Sequence, residues 1–110
     1  MSILYDDKET PREIAPGVSR KIIHEKNILT AVIDFTGGPK DEADPPHSHP
    51  HEQITFVAEG EIFFILEGRK NRLKAGDLFS VPPDLPHTVQ LLSKTARLVD
   101  SFTPVREDFL

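Results

Sequence analysis

Short apolar stretches, separated by glycine, proline and charged residues, are the feature that most restricts the fold of this chain. Most are five to eight residues long and rich in Val, Ile, Phe and Thr, which is typical of β-strands. They cover residues 21–25, 28–35, 53–58, 61–67, 77–81, 88–92 and 96–103. Because no window combines a helical period with caps, the pattern predicts an all-β fold: a sandwich, a jelly roll or a barrel.

The length of the chain limits it to one domain. With 110 residues, we expect a single domain over 1–110, with a hairpin turn at 67–70 (Glu-Gly-Arg-Lys). Residues 1–15 show no core pattern, and we interpret them as an N-terminal arm. A small barrel leaves sheet edges open, and pairing with a second copy covers them. We therefore expect a homodimer, and the arm is a candidate for pairing across its interface.

Composition excludes several classes of function. The chain has no cysteine, so any bound metal must have nitrogen and oxygen ligands. A net charge of −5 and a pI of about 5.5 disfavour binding to nucleic acid. No apolar run approaches the roughly 20 residues of a membrane-spanning helix, and the N-terminal residues contain no apolar signal core. We therefore expect a cytoplasmic protein that binds neither nucleic acid nor membrane.

Three of the five histidines lie within a segment of five residues. They belong to the sequence Pro-Pro-His-Ser-His-Pro-His-Glu-Gln at 45–53. Alternate residues of a strand point to the same face, so His47, His49 and Gln53 are predicted to face a barrel interior together. His87 follows a proline-rich turn at 81–86 and can join them from another strand. Imidazoles suit divalent transition metals, but from the residues alone structural histidines are as well supported as a metal site.

The spacing around these histidines resembles the two motifs of the cupin family. The first motif, Gly-x5-His-x-His-x3–4-Glu-x6-Gly, is represented by His47, His49, Gln53 and Gly60. The second motif, Gly-x5-Pro-x-Gly-x2-His-x3-Asn, is represented by Gly76, Pro82, Asp84 and His87. The chain departs from the motifs at Asp41, Asp84 and Leu91. The resemblance implies a cupin double-stranded β-helix, or jelly-roll barrel, and a divalent transition metal (Zn, Ni, Mn or Fe) held by His47, His49, Gln53 and His87.

Gln53 occupies the position of the family's glutamate ligand. With three imidazoles and an amide as ligands, a divalent ion would keep its full charge, which makes it a stronger Lewis acid and attracts anions. Glu52 is the alternative ligand if a bulge at Pro50 shifts the register, although an intact pleat favours Gln53. The neighbouring His51 is expected to support a ligand by hydrogen bonding, and His24 is expected to be structural.

A second group of candidate residues lies in the last predicted strand, where Asp100 and Phe102 share a face. An ionised carboxylate buried without a partner is costly, so an inward Asp100 requires a ligand, a metal-bound water or an arginine nearby. From the pattern alone, a solvated aspartate is favoured over a catalytic one, because ordinary ion pairs also bring Asp and Arg together.

The segment 100–110 adds a narrower resemblance. Its sequence, Asp-x-Phe-Thr-Pro-x-Arg-Glu-Asp-Phe-Leu, together with His-Ser-His-Pro-His-Glu-Gln at 47–53, is similar to the small cupins of pectin and alginate degradation. Those enzymes convert 4,5-unsaturated monouronates, the end products of polysaccharide lyases, to linear 4-deoxy-5-keto uronates. The resemblance implies a small anionic sugar-acid substrate and catalytic roles for Asp100, Phe102 and Arg106, with Arg106 pairing with the substrate carboxylate. A metal-dependent dioxygenase and a non-catalytic uronate-binding module are the alternative functions.

Overall fold

Nine strands and one short 3-10 helix form the fold in a computed structural model that describes residues 1–110. The strands are β1 (Arg12–Ala15), β2 (Val18–His24), β3 (Leu29–Phe35), β4 (Glu52–Glu59), β5 (Glu61–Leu66), β6 (Arg69–Lys74), β7 (Leu78–Val81), β8 (His87–Leu91) and β9 (Ala96–Thr103). The 3-10 helix covers Glu107–Phe109. The structure contains no helix that is long and apolar enough to span a membrane.

The strands form two antiparallel sheets with a cavity between them. The larger sheet has the order β1-β2-β3-β9-β4-β7, and the smaller has the order β6-β5-β8. The last strand, β9, lies between β3 and β4, so Phe102 is opposite Leu29 on one side and Gln53 on the other. Strands far apart in the chain are thus neighbours in each sheet, which confirms the predicted all-β fold and its jelly-roll barrel.

Two strands are missing from the apolar pattern because their side chains are mostly exposed. β1 lies within the predicted arm and is exposed at every position, while β6 (Arg-Lys-Asn-Arg-Leu-Lys) is exposed except at Leu73. Backbone pairing with a neighbouring strand holds both, and such pairing leaves no trace in the order of apolar residues. Asp6 also anchors the arm by pairing with Lys21 and Arg97. Part of residues 1–15 therefore belongs to the larger sheet of its own chain.

Two turns adopt a left-handed backbone. Glu67 (φ 49°) and Gly68 (φ 80°) join β5 to β6 in a two-residue hairpin. This confirms a hairpin at the predicted place, although Arg69 and Lys70 of the predicted turn already belong to β6. Asp84 has φ 67° at the position where the cupin motif has glycine. Aspartate tolerates this conformation better than most residues with a side chain. The turn before β8 therefore keeps its shape without the glycine, and it leads directly to His87.

The apolar packing inside the barrel is divided between two clusters. One contains Val57, Ile62, Leu91, Ala96 and Leu98, and the other contains Leu29, Ala31, Ile33 and Phe102. Polar side chains are also buried in the molecule, among them His49, Gln53, Thr55, His87, Thr88, Gln90 and Asp100. Burying polar groups costs free energy unless they are hydrogen bonded or bind a ligand. Their concentration here indicates that the interior is built to bind something polar.

Candidate metal centre

Three histidines meet at one end of the barrel. His47 exchanges two backbone hydrogen bonds with His87, of 3.0 and 2.9 Å, so the two residues lie directly opposite each other. The His49 carbonyl accepts a further bond of 2.8 Å from the Asp84 backbone. Ring centroids are 4.5 Å apart for His47 and His87, and 4.8 Å apart for His49 and His87. The nitrogens available as ligands lie within 4.8 Å of one another, so this group can hold a metal ion.

The structural feature that positions His47 and His49 differs from the predicted one. Both precede β4, which begins at Glu52, so strand alternation does not align them and that part of the prediction is wrong. Their backbone pairing with the segment around His87 brings them there instead. Gln53, in contrast, is buried on the inner face of β4, whereas Glu52 is exposed. The structure therefore brings Gln53 to the site and leaves Glu52 outside it.

Hydrogen bonds determine which nitrogen of two imidazoles is free to bind an ion. Nδ1 of His49 lies 3.1 Å from the His51 carbonyl oxygen, and Nδ1 of His87 lies 2.8 Å from the Leu85 carbonyl oxygen. Since a carbonyl only accepts, each Nδ1–H donates, and Nε2 of each neutral ring carries a lone pair. Nε2 of His87 is buried and has no hydrogen-bond partner. An oriented ring with an unused buried lone pair is well suited to ligate a metal.

Gln53 places a fourth donor atom beside the imidazoles. Its Nε2 donates to Thr55 Oγ1 at 2.9 Å, and the Thr55 hydroxyl donates to Asp100 Oδ1 at 2.6 Å. Gln53 Oε1 therefore faces His49 Nε2, 3.1 Å away, although both atoms are acceptors. Such lone pairs repel unless a cation is shared between them, and neighbouring ligand atoms on an ion with bonds of about 2.1 Å are about 3 to 3.5 Å apart. The residues present thus fit a divalent metal with nitrogen and oxygen ligands.

The surroundings keep two of the imidazoles neutral. Partial burial lowers the pKa of His47, and the nearby His87 and His49 lower it further. Burial is also the largest cause of the lowered pKa of His49, followed by the positive charge of Arg106. Near neutral pH both rings are therefore in the uncharged form that metal binding requires.

Asp100 is a buried carboxyl group on the inner face of β9. It is 7% exposed, and its hydrogen-bond partner Thr55 is fully buried. Burial raises the pKa of Asp100 to about 6, against the opposing effects of the Thr55 hydrogen bond and the charge of Arg106. A carboxyl group that changes protonation near neutral pH can both accept and donate a proton.

The raised pKa of Asp100 predicts a pH-dependent stability for the protein after metal removal with EDTA. The pKa rises from 3.8 to about 6 on folding. The unfolded chain therefore loses this proton first, and the free energy of unfolding falls by about 3 kcal/mol as the pH rises through this window. Asp100→Asn removes that loss. In urea unfolding, we expect the variant to gain stability relative to the unchanged protein between about pH 4 and about pH 7. A difference in the free energy of unfolding that stays constant with pH would contradict the raised pKa of Asp100.

Asp100 lines one cavity of about 320 Å³ between the two sheets, together with His47, Gln53 and His87 of the metal site. Phe102 forms part of its wall. The Phe102 ring is 5.6 Å from the His49 ring and 5.4 Å from the ring of Phe109, which the 3-10 helix brings over the cavity. The cavity thus joins the metal-site residues, a buried acid and an aromatic surface.

Arg106 lines the same cavity, but an acidic residue of its own segment is paired with it. Its Nε donates to Asp108 Oδ1 at 3.0 Å, and its Nη2 donates to the other carboxylate oxygen. The guanidinium lies over Phe109 at 4.2 Å and over Phe102 at 5.0 Å. Asp108 therefore occupies the two-nitrogen edge with which an arginine best binds a carboxylate.

Several polar residues of the cavity region are missing from the sequence prediction, among them Asp44 and Thr88 in the cavity wall. Thr55 follows Gln53 by two residues, so strand alternation carried the signal that they share a face. Arg20 lines the cavity from β2, but the predicted strand began one residue later. The support expected from His51 comes from its carbonyl oxygen, which accepts the hydrogen bond from His49 Nδ1. The ring Nδ1 of His51 itself has no hydrogen-bond partner. His24 is exposed at the end of β2 and does not line the cavity.

Similarity to known proteins extends over nearly the whole chain. The Cupin domain family (Cupin_2) matches residues 35–102. The pectin degradation protein KdgF of Dickeya dadantii (strain 3937) is 36% identical over 109 residues, which cover 96% of this chain and 96% of that protein. KdgF from Halomonas sp. has a solved structure that is 31% identical, with a TM-score of 0.91 over 100% of this chain and 99% of that one.

A more distant relative has a different activity in its name. The 3-hydroxyanthranilate 3,4-dioxygenase of Bos taurus is 30% identical over 84% of this chain, but the match covers only 32% of that enzyme. The family match to residues 35–102 and the similarity over nearly the full length of both KdgF proteins agree with the jelly-roll barrel described above. They show that the chain belongs to the cupin family and is a homologue of the pectin degradation protein KdgF.

Proposed function

We propose that this cupin is a metal-dependent enzyme that converts 4,5-unsaturated monouronates, the products of pectin or alginate lyases, to linear 4-deoxy-5-keto uronates. The observation that carries the proposal is the chain of hydrogen bonds from the buried Asp100 through Thr55 to Gln53, next to the three histidines. It combines a group that transfers protons with donor atoms for a divalent cation. The similarity to the pectin degradation protein KdgF supports the substrate class.

In this proposal the ion is held by His47, His49, Gln53 and His87. All four side chains are neutral ligands, so the ion keeps its full double charge. When bound, it supplies Lewis acidity that stabilises negative charge on the substrate carboxylate and the adjacent ring oxygen. Zn, Ni, Mn and Fe all accept such a set of nitrogen and oxygen ligands.

Asp100 is assigned the proton transfers. Its carboxylate accepts the proton of the anomeric hydroxyl, a carbonyl double bond forms at C1, and the bond between C1 and the ring oxygen breaks. The electron pair of that bond leaves with the ring oxygen, which gives an enolate at C5. The protonated Asp100 then delivers the proton to C4, and the 5-keto product results. A pKa of about 6 suits both halves of this exchange, and the Thr55 hydroxyl orients the carboxyl group.

Phe102 and Arg106 are assigned roles around the sugar. The Phe102 ring provides an apolar surface for one face of the ring and excludes water from the reacting atoms. Arg106 contributes positive charge beside the anionic substrate, although Asp108 shares that charge. Both side chains are held by contacts with Phe109, so the C-terminal segment is part of the substrate site in this proposal.

The proposal predicts that the purified, metal-loaded protein removes the ultraviolet absorbance of an unsaturated monouronate. The absorbance comes from the double bond between C4 and C5, which is lost in the keto product. EDTA should stop the reaction, and addition of a divalent metal should restore it. Failure of the metal-loaded protein to change the absorbance would overturn the proposed activity.

Two other functions can be distinguished from this one by measurements on the same protein sample. A cupin dioxygenase is suggested by the similarity to the bovine enzyme, and it would consume oxygen during turnover. Gln53 disfavours it, because a carboxylate ligand better stabilises a higher-valent metal. A binding module would hold a uronate without changing its absorbance. The buried, proton-active Asp100 disfavours this second function, because binding alone does not need it.

We further propose that the protein acts as a homodimer. Ile54, Phe56 and Leu78 lie on the outer face of the larger sheet and are 58%, 39% and 61% exposed. Phe56 pairs directly with Leu78, and β7, which carries Leu78, is an edge strand. Scattered exposed apolar residues are ordinary, but a group of them beside an open sheet edge favours association with a second copy.

A further inference from the structure

Arg20 is a second guanidinium group in the cavity, and no carboxylate forms an ion pair with it. It lies on β2 opposite Ile33 and lines the same cavity as Asp100 and Arg106. Its Nε is buried and makes no hydrogen bond, and Arg20 takes part in no ion pair. A buried N–H group without a partner is uncommon in proteins and costs free energy. Its position in the cavity suggests that the missing acceptor belongs to a ligand.

The surroundings of Arg20 make its positive charge available to an anion. Its guanidinium lies 4.1 Å from the centre of the Phe109 ring, which Arg106 also contacts at 4.2 Å. Burial lowers the pKa of Arg20, and the positive charge of Arg12 contributes to the same effect, while the negative charge of Asp108 opposes it. Arginine nevertheless remains charged at neutral pH, so this partly desolvated cation gains from a bound carboxylate.

Arg20 and Arg106 differ in what remains free to bind. Asp108 occupies Nε and Nη2 of Arg106. The corresponding edge of Arg20 has no side-chain or backbone acceptor at Nε. A carboxylate bound by two parallel N–H groups uses this edge of a guanidinium. Of the two arginines that contact Phe109, only Arg20 therefore offers this arrangement without first losing an ion pair.

We propose that Arg20 binds the carboxylate of the sugar-acid substrate, while Arg106, held by Asp108, supplies charge and supports the aromatic wall. The inference rests on the proposed function for its substrate class. It changes the assignment implied by the family resemblance, in which Arg106 alone pairs with the carboxylate. Arg20 would thus distinguish uronates from neutral sugars.

Steady-state kinetics with the metal-loaded enzyme test this assignment. Arg20→Gln should raise KM for the unsaturated monouronate by about tenfold or more, which is the effect of losing a charge-assisted hydrogen bond, and should change kcat by less than about threefold. Arg20→Lys keeps the charge but not the two-nitrogen edge, so its KM should lie between those of the unchanged enzyme and Arg20→Gln. Arg12→Gln is the matched control. Arg12 lies opposite Arg20 on the exposed β1, so its substitution removes the same charge from a position outside the cavity. An unchanged KM in Arg20→Gln, or an equal rise in Arg12→Gln, would overturn the proposal.

Calorimetric titration separates this inference from the proposed activity. D-Galacturonate, a saturated uronate, and D-galactose, its neutral counterpart, serve as probes of the metal-loaded protein. We expect the unchanged protein to bind galacturonate more tightly than galactose, and Arg20→Gln to lose most of that preference. This result together with absent turnover would support Arg20 as a carboxylate-binding residue and reject the proposed reaction. Equal weakening of both sugars, or no preference in the unchanged protein, would refute the role of Arg20 whether or not turnover occurs.

Discussion

Asp100→Asn is expected to lower the turnover of an unsaturated monouronate by about 100- to 10,000-fold, the range that general acid–base catalysis contributes. An amide neither accepts the anomeric proton nor returns it to C4. The substitution preserves the size of the side chain and an oxygen that accepts the Thr55 hydrogen bond of 2.6 Å. The metal content should stay unchanged, because Asp100 contacts Gln53 only through Thr55. The rate of absorbance loss and elemental analysis of the same preparation measure both quantities.

Glu52→Gln is the matched control for this substitution. It also replaces a carboxylate by an amide, but Glu52 is exposed and sits next to Gln53 without joining the site. We expect both its turnover and its metal content to equal those of the unchanged protein. If Asp100→Asn kept full activity, the acid–base role would have to be abandoned. If it lost its metal as well as its activity, Asp100 would be needed to organise the metal site and its chemical role would lose support.

His87→Ala is expected to weaken metal binding by more than about 100-fold, since altering the supporting partners of a ligand already costs 10- to 100-fold. The substitution removes the buried Nε2 that has no hydrogen-bond partner and leaves two imidazoles and one amide. Activity should fall to the level of the EDTA-treated protein. Metal content after dialysis against a defined metal concentration, followed by elemental analysis, gives the affinity.

His24→Ala provides the comparison for His87→Ala. His24 is exposed at the end of β2, and its Nδ1 lies 3.2 Å from the neighbouring Glu25 carbonyl. Its removal should leave metal content and activity as they are. Stoichiometric metal in His87→Ala would mean that the three histidines do not form the binding site, and the metal-dependent reaction proposed above would then lack its foundation.

The fold was predictable because most of its strands are recorded in local sequence. The apolar stretches correspond to strands wherever one face is buried, as in β4, where exposed and buried residues alternate. β1 and β6 left no such record, because backbone pairing to a neighbour forms them and their side chains face solvent. Pairing between strands distant in the chain, such as β3 with β9, depends on the whole fold and cannot be read from a local pattern.

The candidate site was predictable as a set of residues but not as a set of contacts. His47, His49, Gln53 and His87 were identified from motif spacing, yet the stated reason for the first two, alternation in a strand, is wrong because they precede β4. Their actual alignment depends on the bridge to His87, which no local pattern encodes. The pairing of Arg106 with Asp108 and the open donor of Arg20 depend likewise on the packed positions of side chains.

The backbone bridge between His47 and His87 has a mechanical consequence. It connects the segment that enters β4 of the larger sheet to the start of β8 in the smaller sheet. An ion held at this junction would fasten the two halves of the barrel to each other, in a chain that has no cysteine for a disulfide. Because such an ion binds the folded state in preference to the unfolded chain, it would raise thermal stability with increasing metal concentration. The residues that hold the catalytic ion would then also stabilise the fold by connecting the two sheets.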